Sequence, residues 1–393
     1  MISEDRSFSR RAALAGTLAT VAMQGAVPKA AQAARRRPNP TGLRGLGIVY
    51  DTGIFSAGRS VRSTHEPFDA KVVKRDMKAI ADDLHCTAVR IVGGDPGRID
   101  TAARLAAHQG LEVWVSPFTV DLTQAEQIEL LGDCAVRAER LRRDGADAVF
   151  VAGAEISLFT KGFLPGETIF DRLAFITTPG PDFIEAIRAL PGKINAFFAQ
   201  AVPSVRRRFL GPVTYAAIDS LERVDWAPFD MITNDTYRDA QSAATFPDQI
   251  RAFVARGTAL GKPAVITESG CVSYDGGSDL GGRGDTIVEY DNAANTALRL
   301  TQTVTRDEAE QAQTIEELVK TYDQTGVHTA FVQTFAMRHL PYREHAEPTQ
   351  DLDRASFGIV RPLEHGHGWR GHTWEPKEAY FRLGALYQRL RRS

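Results

Sequence analysis

The chain has 393 residues, with 47 basic and 49 acidic side chains and a formal net charge of -2. That near balance excludes the basic excess of a nucleic-acid binder, and 43% hydrophobic with 24% charged residues excludes a disordered or fibrous chain. Three widely spaced cysteines, Cys86, Cys134 and Cys271, form no CxxC pair and make neither a disulfide framework nor a zinc knuckle.

The N-terminus reads as an address. Ser9-Arg10-Arg11-Ala12-Ala13-Leu14 places a twin arginine ahead of a mildly apolar stretch, 12–23, and Ala31-Gln32-Ala33 follows as an A-x-A cleavage pattern. This order of parts predicts a twin-arginine export signal over 1–33 and a secreted or cell-envelope protein. The apolar stretch is too short and too poor in Leu and Ile to span a bilayer, so no membrane partner is expected after cleavage. Residues 34–43 follow as a polar tether, and 44–393 form a single predicted domain.

Eight short β-rich runs come next: 46–50 (LGIVY), 88–92 (AVRIV), 112–117 (EVWVSP), 148–152 (AVFVA), 213–217 (VTYAA), 231–233 (MIT), 264–267 (AVIT) and 329–334 (TAFVQT). Between most of them lie segments with apolar residues at helical spacing: 74–84, 101–109, 123–144, 183–209, 247–260 and 314–325. Strands that are apolar almost throughout and alternate with helices form a parallel sheet covered on both faces. Eight such units over about 350 residues predict a closed (β/α)8 barrel. A doubly wound open sheet is the competitor, but Tyr50-Asp51-Thr52-Gly53 after the first strand carries no GxGxxG. Long connections follow the fourth strand (157–181) and the seventh (272–289). On a barrel this is the face where sites are built, so both are expected to wall a pocket.

The fourth strand runs into Ala154-Glu155-Ile156, and the seventh into Thr267-Glu268-Ser269. A carboxylate at the end of a buried strand is costly without a partner. One such Glu is explained by an ion pair with an Arg. Two on opposing strands can flank one substrate bond, one protonating the leaving oxygen while the other attacks or activates water. That division of labour requires surroundings that push the two pKa values apart.

At these residues the chain resembles the clan A glycoside hydrolases, retaining enzymes on a (β/α)8 barrel. The resemblance spans about 46–390, and its most specific piece is Ile266-Thr267-Glu268-Ser269-Gly270, similar to the I-T-E-x-G nucleophile strand. It implies Glu268 as nucleophile and Glu155 as acid/base. It also implies Arg90 as a hydrogen-bond donor to the nucleophile and Tyr237, in Asn234-Asp235-Thr236-Tyr237, as its neighbour. Most members carry Asn before the acid/base, where it binds the sugar 2-hydroxyl; here that position is Ala154. Gln333-Thr334-Phe335 stands where the eighth strand often supplies a Trp platform.

Other residues fit a sugar pocket less sharply. Asp51 ends the first strand and suits either sugar hydroxyls or a helix N-cap, and Asn234 sits beside Tyr237 as a substrate-binding candidate. Trp369 and Trp374 lie in a loop-rich stretch and are candidates for stacking on sugar rings; Trp114 reads as core. Glu364, His365, His367 and His372 lack the tight spacing of a zinc site, and Asp275, Asp279 and Asp285 lack the rhythm of a calcium loop. No metal and no other cofactor is therefore expected. The reading is a secreted, retaining glycosidase acting on a poly- or oligosaccharide, with a carbohydrate-binding barrel without turnover as the alternative. Chains of this kind are sometimes labelled abortive-infection proteins, but no nuclease, nucleotide or toxin motif supports that role here.

Overall fold

In the computed structural model, residues 42–56, 63–291 and 296–392 are described. The twin-arginine motif, the A-x-A pattern and most of the tether lie outside them. The apolar runs become the parallel strands β1 (Gly45–Asp51), β2 (Ala88–Gly93), β3 (Glu112–Pro117), β4 (Ala148–Ala154), β5 (Val213–Ala216), β6 (Ile232–Asp235) and β7 (Ala264–Ser269). The long connection after β7 carries an antiparallel hairpin, β8 (Val288–Asp291) and β9 (Thr296–Leu300), so the eighth barrel strand is β10 (Thr329–Val332).

The eight strands pair in the order β5-β4-β3-β2-β1-β10-β7-β6. The remaining gap, between β5 and β6, is bridged less regularly. Asp230 N donates to Val213 O (2.9 Å), the Thr214 hydroxyl to Met231 O (3.2 Å) and Asp235 N to Ala217 O (2.7 Å). The result is a (β/α)8 barrel. A small hairpin, β11 (Val360–Pro362) with β12 (Trp374–Pro376), follows β10.

Alternation of side chains along each strand divides the apolar residues into two layers. Val49, Trp114, Val149, Val151, Val265 and Phe331 fill the barrel, with the Trp114 and Phe331 rings 4.9 Å apart. Ile48, Ile91, Val113, Phe150 and Ile266 point outward under the helices.

Those helices are α1 (Ala70–Asp82), α2 (Pro96–His108), α3 (Gln124–Arg143), α4 (Ile156–Phe159), α5 (Ile169–Thr177), α6 (Phe183–Arg206), α7 (Asp219–Glu222), α8 (Phe246–Ala259), α9 (Glu308–Thr325) and α10 (Glu378–Leu390). Several begin a turn or more before their apolar periodicity is legible. α2 starts at Asp95, whose side chain accepts from Arg98 N, with Pro96 in the first turn. α9 starts at Asp307, which accepts from Glu310 N. Polar caps and Pro at the first turn set these starts, ahead of the first buried residue. Among the described residues no helix is long and apolar enough to cross a membrane, and all three cysteines are free and buried.

Candidate active site

Two glycines shape the strand ends that carry the glutamates. In β4 the pairing with β5 slips between Val151 and Ala154, and Gly153 sits there at φ +98°, a backbone state that favours glycine. The chain then turns through Glu155 itself, at φ 43° and ψ 44°. A left-handed non-glycine residue costs of order 1 kcal/mol and is characteristic of functional positions. Gly270 follows the end of β7. A Cβ there would lie 2.3 Å from the Gln333 carbonyl oxygen, so glycine lets β7 run close against the end of β10.

Glu268 is 8% exposed and held on both oxygens. Arg90, fully buried on β2, donates from Nη1 to Oε1 (2.8 Å) and to the Thr267 carbonyl (3.0 Å), while its Nε donates to Ser116 Oγ (3.1 Å). The Tyr237 hydroxyl donates to Oε2 (3.1 Å).

A third carboxyl joins them. Asp235 ends β6 and is the register partner of Glu268 on β7, so the two side chains lie on the same side of the sheet. Oxygens of Glu155, Asp235 and Glu268 all lie within 4.8 Å of one another. Asp235 is buried and makes no ion pair with a described residue, the Thr267 side chain being its hydrogen-bonding neighbour; Arg90 Nη2 is unpartnered. Glu155 keeps some exposure to solvent; its backbone is hydrogen-bonded to Ala216, Leu158 and Phe159, but its carboxyl makes no hydrogen bond or ion pair with another described residue.

One guanidinium cannot neutralise three carboxylates, and the protonation states follow from that. Burial holds the Glu155 carboxyl well above its ordinary range, reinforced by the charges of Asp235, Glu268 and Glu222. Asp235 is raised in the same way, by burial first and then by Glu268. The cluster therefore holds an ion-paired Glu268 beside two acids whose protonated forms are favoured by their surroundings. The three carboxyls have the spacing of a cation site, but the Arg90 guanidinium occupies the cationic role at Glu268. A second acidic group, Asp275, Asp307 and Glu310, has Glu310 accepting from the amides of Gly276 and Ser278 (2.8 Å each).

The structure thus brings Glu155, Glu268, Arg90 and Tyr237 together. The other four candidates make no hydrogen bond to these carboxyls. Asn234 pairs with Ile266, whose side chain lies in the outer layer, and its Oδ1 accepts from Asp219 N at 3.2 Å. It therefore faces α7, not the glutamates, and its neighbour Asp235 takes the inward position. Trp374 has no exposed surface; its indole N–H donates to Asp76 on α1 at 2.9 Å. Trp369 packs on Trp374, Tyr380 and Phe381, with the Arg370 guanidinium over its ring, beside a 280 Å³ groove between α1 and α10. Neither tryptophan is among the residues at the carboxyl cluster. The Asp51 carboxyl is engaged by Gly53 N (2.7 Å) and the Thr64 hydroxyl and is pushed up to about 6 by burial. It caps no helix; Asp69 caps α1.

Sequence reasoning missed Asp235 although a signal existed: Asp235 lies two residues before Tyr237, the spacing of one strand face, whereas Asn234 is out of phase. It also missed Tyr215 and Glu222, which lie directly behind Glu155.

No protein-family model matches the chain, and no curated protein matches it in sequence. Solved structures do resemble it. A GH113 β-1,4-mannanase matches with a TM-score of 0.53 at 15% identity, covering 86% of this chain and 98% of that one. The GH113 β-mannanase of Alicyclobacillus acidocaldarius matches at 0.51 and 14%, covering 88% and 98%. β-Glucuronidase 2 of Bacteroides uniformis matches at 0.51 and 11%, covering 89% of this chain but 35% of that longer one. The shared fold is the (β/α)8 barrel. At these identities the likeness establishes architecture; the chemistry rests on the side chains described above.

Proposed function

We propose that the protein is a retaining glycoside hydrolase, exported by the twin-arginine route and acting on a poly- or oligosaccharide. The observation that carries this reading is the contrast between two neighbouring carboxyls, Glu268 paired with Arg90 and Glu155 without an ion-pair partner among the described residues, with oxygens within 4.8 Å; burial favours the protonated form of Glu155. Retaining enzymes place the two groups about 5–5.5 Å apart and inverting enzymes roughly 6.5–9.5 Å. The nearest oxygens, within 4.8 Å, are close enough for the shorter spacing.

In the first step a Glu268 oxygen attacks the anomeric carbon as the glycosidic C–O bond breaks, and Glu155 passes its proton to the leaving oxygen. A glycosyl ester on Glu268 results. In the second step water attacks the same carbon, Glu155 takes a proton from it, and Glu268 departs as the carboxylate. Arg90 and Tyr237 orient Glu268 for attack and stabilise it as it leaves. A barrel that only binds sugar would be served by glutamates quenched by arginine. Glu155, without such a partner, favours turnover.

The test is a screen of aryl glycosides and polysaccharides, β-1,4-mannan first because the two mannanases share the architecture. On a hit, NMR identifies the anomer formed first. Retained configuration and loss of activity in Glu268→Gln are expected. An inverted product refutes double displacement, and full activity in Glu268→Gln refutes the assignment.

A further inference from the structure

Glu222, on α7, is fully buried, and among the described residues no Lys, Arg or His lies within salt-bridge range of it. Its carboxyl is instead fully occupied by donors. The Tyr215 hydroxyl lies 2.8 Å from each oxygen, Ser157 N donates to Oε1 (3.1 Å) and Ile218 N to Oε2 (3.2 Å). The Tyr215 oxygen in turn accepts from Ile156 N at 2.7 Å. The two amides immediately after Glu155 are therefore both held by this pair, one by Tyr215 and one by Glu222. They are the first amides of α4, and their direction fixes the left-handed turn on which Glu155 stands. Glu155 itself has no side-chain partner, so this backbone clamp decides where its carboxyl points.

We propose that Glu222, acting through Tyr215 and the first turn of α4, is a positioning residue for Glu155, setting both its aim and its readiness to hold a proton. This rests on the glycosidase reading for its catalytic consequence but not for its geometry. The groups facing Glu155 are Arg90 on β2, Tyr215 on β5, Asp235 on β6, Tyr237 after β6, Glu268 on β7 and Glu222 on α7. Burial pushes Glu222 up to about 7, so its charge appears near neutrality and adds to the negative charges that favour the protonated form of Glu155. Removing Glu222's charge lets Glu155 lose its proton at lower pH.

The test uses the full chain, Glu222→Gln and Tyr215→Phe, in two arms. In the first, kcat/KM is measured on aryl glycosides of the sugar found active, with leaving groups from dinitrophenol to unactivated phenols. A dinitrophenolate leaves without a proton, so a defect in the acid spares that substrate. Both variants are expected to lose at least about tenfold on the poorest leaving groups, well below the roughly 10²–10⁴-fold that removal of a general acid can cost, and little on the dinitrophenyl glycoside. Equal loss on all substrates, or no loss, overturns the proposal. In the second arm, carboxyl-13C glutamate NMR follows Glu155, assigned by its disappearance in Glu155→Gln. Its midpoint is expected to fall in Glu222→Gln, and an unchanged midpoint overturns the proposal. The second arm needs no turnover. If the parent hydrolyses no glycoside, the glycosidase reading fails on the first arm while the positioning of Glu155 is still decided on the second.

Discussion

Two regions of this barrel bury carboxyl groups, and they do so in opposite ways. On α1, Asp76 has no exposed surface, yet it accepts hydrogen bonds from Tyr50 Oη (2.8 Å), Arg338 Nη2 (2.6 Å) and Trp374 Nε1 (2.9 Å). Burial alone would raise its pKa, but the Arg338 charge and these bonds outweigh it and hold the carboxyl below its ordinary range. At the mouth of the barrel, Asp235 and Glu155 have no such partners and are held above theirs. A saturated buried acid is a structural rivet. An unsatisfied one is a cost that the surrounding fold must carry, and such costs gather where chemistry is done.

Substituting one member of each region separates the two roles. Glu155→Gln is expected to lower kcat/KM by roughly 10²–10⁴-fold on glycosides with poor leaving groups, with a melting temperature near or above the parent's, because an unsatisfied acid is removed. Steady-state kinetics beside a thermal melt check this; a large loss of stability with unchanged turnover would reverse the comparison. Asp76→Ala should behave in the opposite sense. It strands the buried Arg338 guanidinium, and breaking a buried pair costs about 3–5 kcal/mol, a fall in Tm of roughly 4–7 °C for a chain of this size. Activity measured well below that temperature is expected to stay near the parent's.

The comparison also has a pH signature. A carboxyl raised on folding stabilises fully below its unfolded pKa, and that contribution is lost as pH rises through the folded value. Glu222 at about 7, Asp51 and Asp285 at about 6, and Glu155 and Asp235 well above normal all act in this direction. Buried histidines act in the reverse sense: His65, His328 and His339 are lowered to about 4, so their contribution is lost as pH falls from 6.5 towards 4. The two sets oppose each other between pH 4.5 and 6.5, and above that only the carboxyls titrate. Stability is therefore expected to fall between pH 6.5 and 8. Glu222→Gln should remove about 1 kcal/mol of that fall. Denaturant titrations at three pH values measure it, and an identical slope in the variant would count against a raised Glu222.

The barrel was legible because its strands are apolar on both faces and its helices recur between them, a pattern that needs no knowledge of loops. The two glutamates and Arg90 were legible because each ends or occupies a strand whose limits the pattern gives. The tryptophans were misplaced for the same reason. Trp369 and Trp374 lie in an irregular stretch, and nothing local reveals that its polypeptide folds back onto α1, where Asp76 waits 298 residues away in the chain for the Trp374 indole. Glu222 was invisible because its role depends on Tyr215 and on the amides of residues 156 and 157, contacts that span 59 and 65 residues.

The smallest expected effect is the sharpest test of register. Asn234 and Asp235 are adjacent, and a one-residue slip would exchange their faces. A slip in the pairing of β6 with β7 already occurs here, between these two residues, so that Asp235 stands opposite Glu268 and Asn234 opposite Ile266. With Asp235 inward, Asn234→Ala loses one bond, the 3.2 Å contact with Asp219 N. It should then cost no more than about 1 kcal/mol of stability and leave the pH profile of kcat/KM where it was. Asp235→Asn keeps the shape but removes a titrating group facing Glu155, so the alkaline limb set by Glu155 should move to lower pH. If Asn234→Ala moves that limb and Asp235→Asn does not, the strand carries the opposite face inward, and the third carboxyl does not belong to the site.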